Sequence, residues 1–171
     1  RYVPTLVCAL SLSVAPAGQA PAPLQRLLQG ELSRIPAKAG IFVKHLKTGE
    51  TASVLPDETF NSASVIKIPV MILAFRDAEA GKLKLGERYT IRPEDLRRGS
   101  GLLQTFDVGV SPTYRDLIEQ MIITSDNTAT DIMIRTVGLA RVNAMLAELG
   151  FRETRLNRTA GDLFREVWIR A

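Results

Sequence analysis

The sequence has 171 residues, of which 46% are apolar, with 22 Lys and Arg, 18 Asp and Glu, one Cys and one His. This composition excludes a disordered chain, a collagen-like repeat, a disulfide-rich scaffold and a His-rich metal site, and the length fits one globular domain with a full core. The formal net charge of +4 is spread along the chain without a basic run, so a nucleic-acid partner is not expected.

Residues 1–20 have the pattern of a secretory signal peptide that lacks its beginning. Residues 3–14 are uncharged and mostly apolar, and small residues follow at 15–20. The apolar stretch is too short to cross a bilayer as a helix, and its length is typical of the central region of a signal peptide. We therefore expect residues 1–20 to direct export; the alternative is a buried N-terminal strand or helix.

A helix and then a β-hairpin are predicted next in the chain. Apolar residues recur at helical spacing up to Pro36, on one face of the predicted helix. Residues 41–46 and 51–55 read as two strands joined by a turn at residues 47–50, with His45 on the solvated side. The predicted apolar face of the helix consists of Leu24, Leu27, Leu28, Leu32 and Ile35.

Helical spacing dominates the rest of the chain. A helix is predicted over residues 64–80, and a polar, Gly-rich stretch follows at residues 97–101. Ser111 followed by Pro112 predicts the start of the next helix, with Ser111 as its N-cap. Its predicted apolar face consists of Tyr114, Leu117, Ile118, Met121 and Ile122. After a break at residues 124–126, two more helices are predicted over 127–137 and 139–149.

The first chemical motif is Ser64-Val65-Ile66-Lys67, at the start of a predicted helix. Residues three apart on a helix share one face, so the Lys67 amine can reach the Ser64 hydroxyl. A serine hydroxyl needs such a base to act as a nucleophile, and a lysine can serve if its surroundings lower its pKa. The alternative for this motif taken alone is an N-cap serine followed by a solvated lysine.

The second motif, Ser125-Asp126-Asn127, lies in the predicted break between two helices, where alone it would be typical of an Asx turn with an N-cap. S-x-x-K and S-D-N together are signature motifs of class A β-lactamases and penicillin-binding proteins. The chain resembles this family over about residues 24–158. The similar segments are 60–70 (FNSASVIKIPV, the nucleophile helix), 99–104 (GSGLLQ, a loop beside the cleft) and 114–130 (YRDLIEQMIITSDNTAT, a central helix pair).

The resemblance implies a role for each matching residue. Ser64 would be acylated by a β-lactam or a D-alanyl peptide, and its backbone N–H would form half of the oxyanion hole. Lys67 would take or relay the proton of Ser64, and Ser125 would pass a proton to the leaving nitrogen. Asn127 would bind the side-chain amide of the substrate, and Ser100 would contribute to substrate binding from the loop beside the cleft.

The resemblance also implies the fold and setting of the protein. It predicts an α+β fold in which an antiparallel sheet and a helical domain bound the cleft, with residues 21–171 forming part of this catalytic domain. We expect a monomeric periplasmic or secreted bacterial enzyme that hydrolyses β-lactams, without a cofactor, a metal, or a nucleic-acid or membrane partner. Two strands do not make a stable sheet alone, so either helices cover this hairpin completely or further strands finish the sheet. The resemblance implies the second, with the C-terminal strands missing from this chain.

This sequence departs from the family in the position of its K-T-G motif. In the family it lies on a strand after S-D-N, whereas Lys47-Thr48-Gly49 precedes the predicted nucleophile and coincides with the predicted hairpin turn. We interpret it as turn chemistry. The functional K-T-G, with the second oxyanion donor and the group that binds the substrate carboxylate, is then expected to lie in the missing strands.

A second departure concerns the water-activating glutamate of class A β-lactamases, which ends an R-L-x-R-x-E run. Residues 155–160 read RLNRTA, so Ala160 takes the glutamate position. Asp162 is the nearest candidate for the deacylation base, and a solvated loop aspartate is the alternative. Two other functions therefore stay open: a D-alanyl-D-alanine peptidase or slowly deacylating penicillin-binding protein, and a non-catalytic relative that binds peptidoglycan or senses β-lactams.

Overall fold

A computed structural model describes residues 23–159, 161 and 162, which fall into two units divided after Phe60. The predicted signal peptide, residues 1–20, lies outside the described residues. So does Ala160, which takes the position of the water-activating glutamate. No helix among the described residues is long and apolar enough to cross a membrane.

The first unit packs one helix against a hairpin. Helix α1 (Pro23–Leu32) lies on strand β2 (Thr51–Val54), and the Gln25 carboxamide exchanges two hydrogen bonds with the backbone of Ser53, at 2.6 and 2.9 Å. The predicted apolar face is narrower than expected, since Leu27 is 58% exposed and Ile35 lies beyond the end of the helix. The half-buried leucines are Leu24, Leu28 and Leu32.

The hairpin forms as predicted. Strand β1 (Ile41–Lys44) pairs antiparallel with β2 in a register that sets Ile41 opposite Val54. Lys47-Thr48-Gly49 lies in the turn between them, where Gly49 has a φ of +75°, a conformation that glycine adopts without strain. His45 is exposed, and its Nδ1 accepts a hydrogen bond from the backbone N–H of Thr48 at 3.1 Å. These residues therefore have a local role in the turn.

The second unit is a cluster of helices around one central helix. A 3₁₀ turn (Ala63–Ile66) leads into α2 (Lys67–Glu79), and α3 (Tyr114–Ile123), α4 (Asn127–Val137) and α5 (Leu139–Glu148) follow. Helix α4 is buried on nearly every side, because every residue from 128 to 134 is inaccessible or nearly so. The fully buried side chains of the core include Val70, Leu117, Met121, Ile132, Met133, Val137 and Val142.

Helix α3 begins later than the sequence predicts. Its N-cap is Thr113 rather than Ser111, because Thr113 and Asp116 form a capping box in which each side chain accepts the other's backbone N–H, at 3.1 and 2.8 Å. The predicted apolar face holds at Leu117, Ile118 and Met121, whereas Ile122 is 40% exposed. The break at residues 124–126 and the end of α4 before Gly138 lie where predicted.

Candidate active site

The predicted nucleophile, Ser64, lies in the 3₁₀ turn that precedes α2, and it is exposed. Ala63 beside it has a φ of +43°, a left-handed conformation that is unfavourable for a residue with a Cβ. The Asn61 side chain holds this turn by accepting the backbone N–H of Ala63 at 2.9 Å. The Ser64 hydroxyl is thereby held at the N-terminal end of α2, where the helix dipole favours a developing negative charge.

Lys67 is the first residue of α2 and is only 5% exposed. Its ammonium group donates to the Ser125 carbonyl at 2.5 Å, to Ser125 Oγ at 2.9 Å and to Asn127 Oδ1 at 3.1 Å. Burial lowers the pKa of Lys67 below its ordinary value of 10.5, and this effect outweighs the opposing attraction of Asp126 and Asp131. The pKa of Lys67 is therefore shifted in the direction that a general base requires.

Ser125 connects the lysine to the nucleophile. Its Oγ lies 2.8 Å from Ser64 Oγ and accepts from Lys67 Nζ, so the described atoms form a chain from Lys67 through Ser125 to Ser64. The sequence predicted that Lys67 would reach Ser64 directly, whereas this link runs through a third side chain. Ser125 has a φ of +55°, and this left-handed turn in the break between α3 and α4 aims both its carbonyl and its hydroxyl at Lys67.

Asn127 is held at both its backbone and its side chain. Its backbone N–H donates to the Ser100 carbonyl at 3.0 Å, and its Nδ2 donates to the Arg98 carbonyl at 3.0 Å. Oδ1 accepts from Lys67, whereas Nδ2 donates to a carbonyl. These two contacts together fix the orientation of the Asn127 carboxamide. Ser100 itself is exposed, and its carbonyl rather than its hydroxyl makes the contact with Asn127.

Asp126, the middle residue of the motif, supports the site from the interior. It is 1% exposed, and its Oδ1 caps α4 by accepting the backbone N–H of Ala129 at 2.9 Å. Its Oδ2 accepts the backbone N–H of Leu103 at 2.8 Å and so attaches the loop beside the site. A Cβ on Gly101 would lie 2.2 Å from Oδ2, which explains glycine there. The sequence alone offered an N-cap as the alternative for this tripeptide, and Asp126 fills that position beside the candidate active site.

Asp126→Ala is expected to lower the free energy of unfolding by about 2–4 kcal/mol, because it removes an N-cap and leaves the buried N–H of Leu103 without an acceptor. Urea unfolding measures this loss. Asp116→Ala is the matched control: it removes an exposed capping aspartate of α3 and should have the smaller effect of about 0.5–1 kcal/mol. Equal losses for the two variants would contradict the role assigned to Asp126.

Asp131 is a second buried aspartate that sequence reasoning did not single out. It is fully buried in α4, and its Oδ2 accepts from Arg97 Nε at 2.5 Å and from the backbone N–H of Gly161 at 3.0 Å. These contacts connect helix α4 to Arg97, which precedes the loop beside the site, and to Gly161. Its one sequence signal is an acidic residue four positions after Asn127, directly before the apolar run at residues 132–134.

Asp162, the candidate deacylation base, forms hydrogen bonds with Thr159. Its Oδ2 accepts from the Thr159 hydroxyl at 2.8 Å, and its backbone N–H donates back to that hydroxyl at 3.2 Å. The backbone N–H of Thr159 also donates to Oδ2, at 3.4 Å, so the two residues form the reciprocal bonds of a capping box. The structure thus brings together Ser64, Lys67, Ser125, Asn127 and the Ser100 carbonyl, and it gives the Asp162 carboxylate a local partner.

Comparisons with known proteins agree with this geometry. The model of the β-lactamase enzyme family matches residues 23–167. The chain is 31% identical to β-lactamase PSE-4 of Pseudomonas aeruginosa over 74% of its length and 44% of that protein. It is also 31% identical to a β-lactamase of Rhodobacter capsulatus, over 88% of this chain and 52% of that one. The chain thus spans about half the length of these relatives.

A solved structure shows the same fold. The structure of PBP-A superimposes with a TM-score of 0.74 at 33% identity, covering 80% of this chain and 52% of PBP-A. A variant of PBP-A is known as an acyl-enzyme complex with penicillin G. The described residues thus represent part of the predicted α+β fold, and the chain belongs to the β-lactamase enzyme family.

Proposed function

We propose that the protein containing this chain is a serine hydrolase that opens β-lactam rings through an acyl-enzyme on Ser64, in the manner of class A β-lactamases. The observation that carries the proposal is the hydrogen-bond chain from Lys67 through Ser125 to Ser64, which begins at a buried amine with a lowered pKa. A covalent adduct of benzylpenicillin on Ser64 is the direct test.

For acylation, the donor and the acceptor exchange places in both hydrogen bonds of this chain. With Lys67 neutral, the Ser64 hydroxyl donates to Ser125 Oγ and the Ser125 hydroxyl donates to Nζ, a change that needs only rotation of two hydroxyl groups. Ser64 Oγ then bonds to the lactam carbonyl carbon while its proton passes along the chain to Lys67. As the C–N bond breaks, Ser125 gives its proton to the nitrogen and is reprotonated by Lys67, which restores the starting protonation of both groups.

A second candidate function is a D-alanyl-D-alanine peptidase or a penicillin-binding protein that deacylates slowly. It shares the acylation machinery and differs in the hydrolysis of the ester. Ala160 cannot activate water, and the Asp162 carboxylate already accepts a hydrogen bond from Thr159. These two observations favour slow release of a penicilloyl group over rapid turnover.

The deacylation step is expected to depend on position 160. Nitrocefin should give a fast burst equal to the enzyme concentration, followed by slow turnover, because ester formation outpaces ester hydrolysis. Ala160→Glu should accelerate the slow phase by about 10²-fold or more, the contribution of a positioned general base, and leave the burst rate unchanged. Stopped-flow absorbance separates the two phases.

Asp162→Ala is the companion variant. If its carboxylate only caps the turn with Thr159, the slow phase should change by less than about twofold while the melting temperature falls slightly. A slow phase that disappears in Asp162→Ala would identify Asp162 as the base after all. Rapid wild-type turnover that is insensitive to both positions would contradict the proposed cause of slow deacylation.

We also propose that the protein is exported, as the pattern of residues 1–20 indicates. A periplasmic or secreted location agrees with a function directed at β-lactams or peptidoglycan peptides, both of which occur outside the cytoplasm. N-terminal sequencing of the mature protein tests this, with cleavage expected after Ala17 or Ala20. A mature protein that retains residues 3–14 would contradict it.

A further inference from the structure

Gln104 closes the loop beside the candidate active site. Its half-buried carboxamide donates both hydrogens of Nε2 to backbone carbonyls, to Gly99 at 2.5 Å and to Gly101 at 3.1 Å. Both glycines have left-handed φ values, of +99° and +108°. Because no helix or strand orders these residues, the directions of their carbonyls depend on the partners that they find.

The same loop holds Asn127. The two carbonyls bound by Gln104 flank Ser100, whose own carbonyl accepts the backbone N–H of Asn127. The neighbouring carbonyl of Arg98 accepts Asn127 Nδ2. Residues 98–101 therefore present alternate carbonyls to two different residues: Arg98 and Ser100 to the side chain and the backbone N–H of Asn127, and Gly99 and Gly101 to the Gln104 side chain.

We infer that Gln104 is a positioning residue: by holding the loop that carries the Arg98 carbonyl, it keeps the Nδ2 end of the Asn127 carboxamide in place and so supports the enzyme's preference for β-lactams with a side-chain amide. The inference rests on the proposed function, in which Asn127 binds that amide. Nδ2 of Asn127 is aimed by the Arg98 carbonyl, which immediately precedes the first carbonyl that Gln104 holds. Release of the loop would let the carboxamide turn and weaken one specific contact with the substrate.

Gln104→Glu tests this with almost no change in size. A carboxylate has no N–H to donate and faces two carbonyl oxygens, so it loses both hydrogen bonds and releases the loop. The readout compares acylation rates for two β-lactams: benzylpenicillin, which has a side-chain amide, and 6-aminopenicillanic acid, which has a free amine instead. Their rate ratio should fall at least about fivefold in the variant, the effect of one hydrogen bond, because only benzylpenicillin uses the amide contact.

Gln25→Glu is the matched control. Gln25 also makes two side-chain hydrogen bonds with backbone, both with Ser53 in the first unit: Nε2 donates to the carbonyl and Oε1 accepts the N–H. The glutamate loses the donor contact outside the loop and keeps the acceptor contact. The substrate ratio should stay at the wild-type value in Gln25→Glu, whatever the change in melting temperature. If Gln104→Glu does not fold, Gln104→Ala removes the same two donors without adding a charge, and the same ratio is measured.

The outcomes separate this inference from the proposed function. If Gln104→Glu slows both substrates equally, or neither, Gln104 has at most a structural role and the inference is overturned. If the wild-type protein forms no adduct with benzylpenicillin, the proposed function itself fails. Wild-type acylation together with a ratio that falls only in the Gln104 variant supports both.

Discussion

Ser64→Ala is expected to abolish covalent labelling of the protein by benzylpenicillin. In the wild-type protein, the drug should add its full mass, because ring opening retains every atom, and the mass should map to the peptide that contains Ser64. Loss of the nucleophilic oxygen should reduce turnover by about 10⁴–10⁶-fold, the range found when such a nucleophile is removed from a catalytic unit. Intact-protein and peptide mass spectrometry measure both results.

Ser62→Ala is the matched control for this result. Ser62 precedes the same 3₁₀ turn and is half-buried, and its carbonyl accepts the backbone N–H of Val65 at 3.0 Å. Its hydroxyl has no part in the chain from Lys67, so labelling should continue at the wild-type rate. An adduct that survives Ser64→Ala, or one that is lost in Ser62→Ala, would show that the nucleophile is misassigned.

Lys67→Ala is expected to slow acylation by about 10²–10⁴-fold, the usual contribution of a positioned general base. The amine is the buried end of the chain that leads to Ser64, and alanine leaves the Ser125 and Asn127 oxygens without their donor. Lys67→Arg should not restore the rate, because a guanidinium stays protonated and cannot accept a proton. Full activity in Lys67→Arg would show that the group acts only through its positive charge.

The same lysine should set the pH dependence of acylation. Burial lowers the pKa of Lys67, so the protonated, inactive form is lost at a pH below 10.5, the ordinary value for lysine. The acylation rate should therefore rise as the pH increases through this lowered pKa, with the midpoint of the rise below pH 10.5. Single-turnover labelling across pH measures the profile. A rise centred at or above 10.5 would contradict a lysine base with a lowered pKa.

Local sequence signals predicted the elements whose causes are local. The hairpin turn at Lys47-Thr48-Gly49 follows from a glycine that can adopt positive φ, and α4 ends before Gly138 for the same reason. The break at residues 124–126 was visible as a loss of helical spacing. The same local signals place Ser64 at the start of a helix and Ser125 in the break between two helices, and the structure has both residues there.

The sequence by itself determined the motif residues that are predicted to carry the chemistry and the kinds of segment that hold them, because motif spacing and turn residues act within a few positions of the chain. Only the tertiary structure decided that Lys67 reaches Ser64 through Ser125, and that Asp126 and Gln104 hold the loop beside them. The physical reason is that a buried polar group must find a partner wherever the fold supplies one. For Lys67 those partners lie about 60 residues away in sequence, so a pattern of neighbouring residues does not identify them.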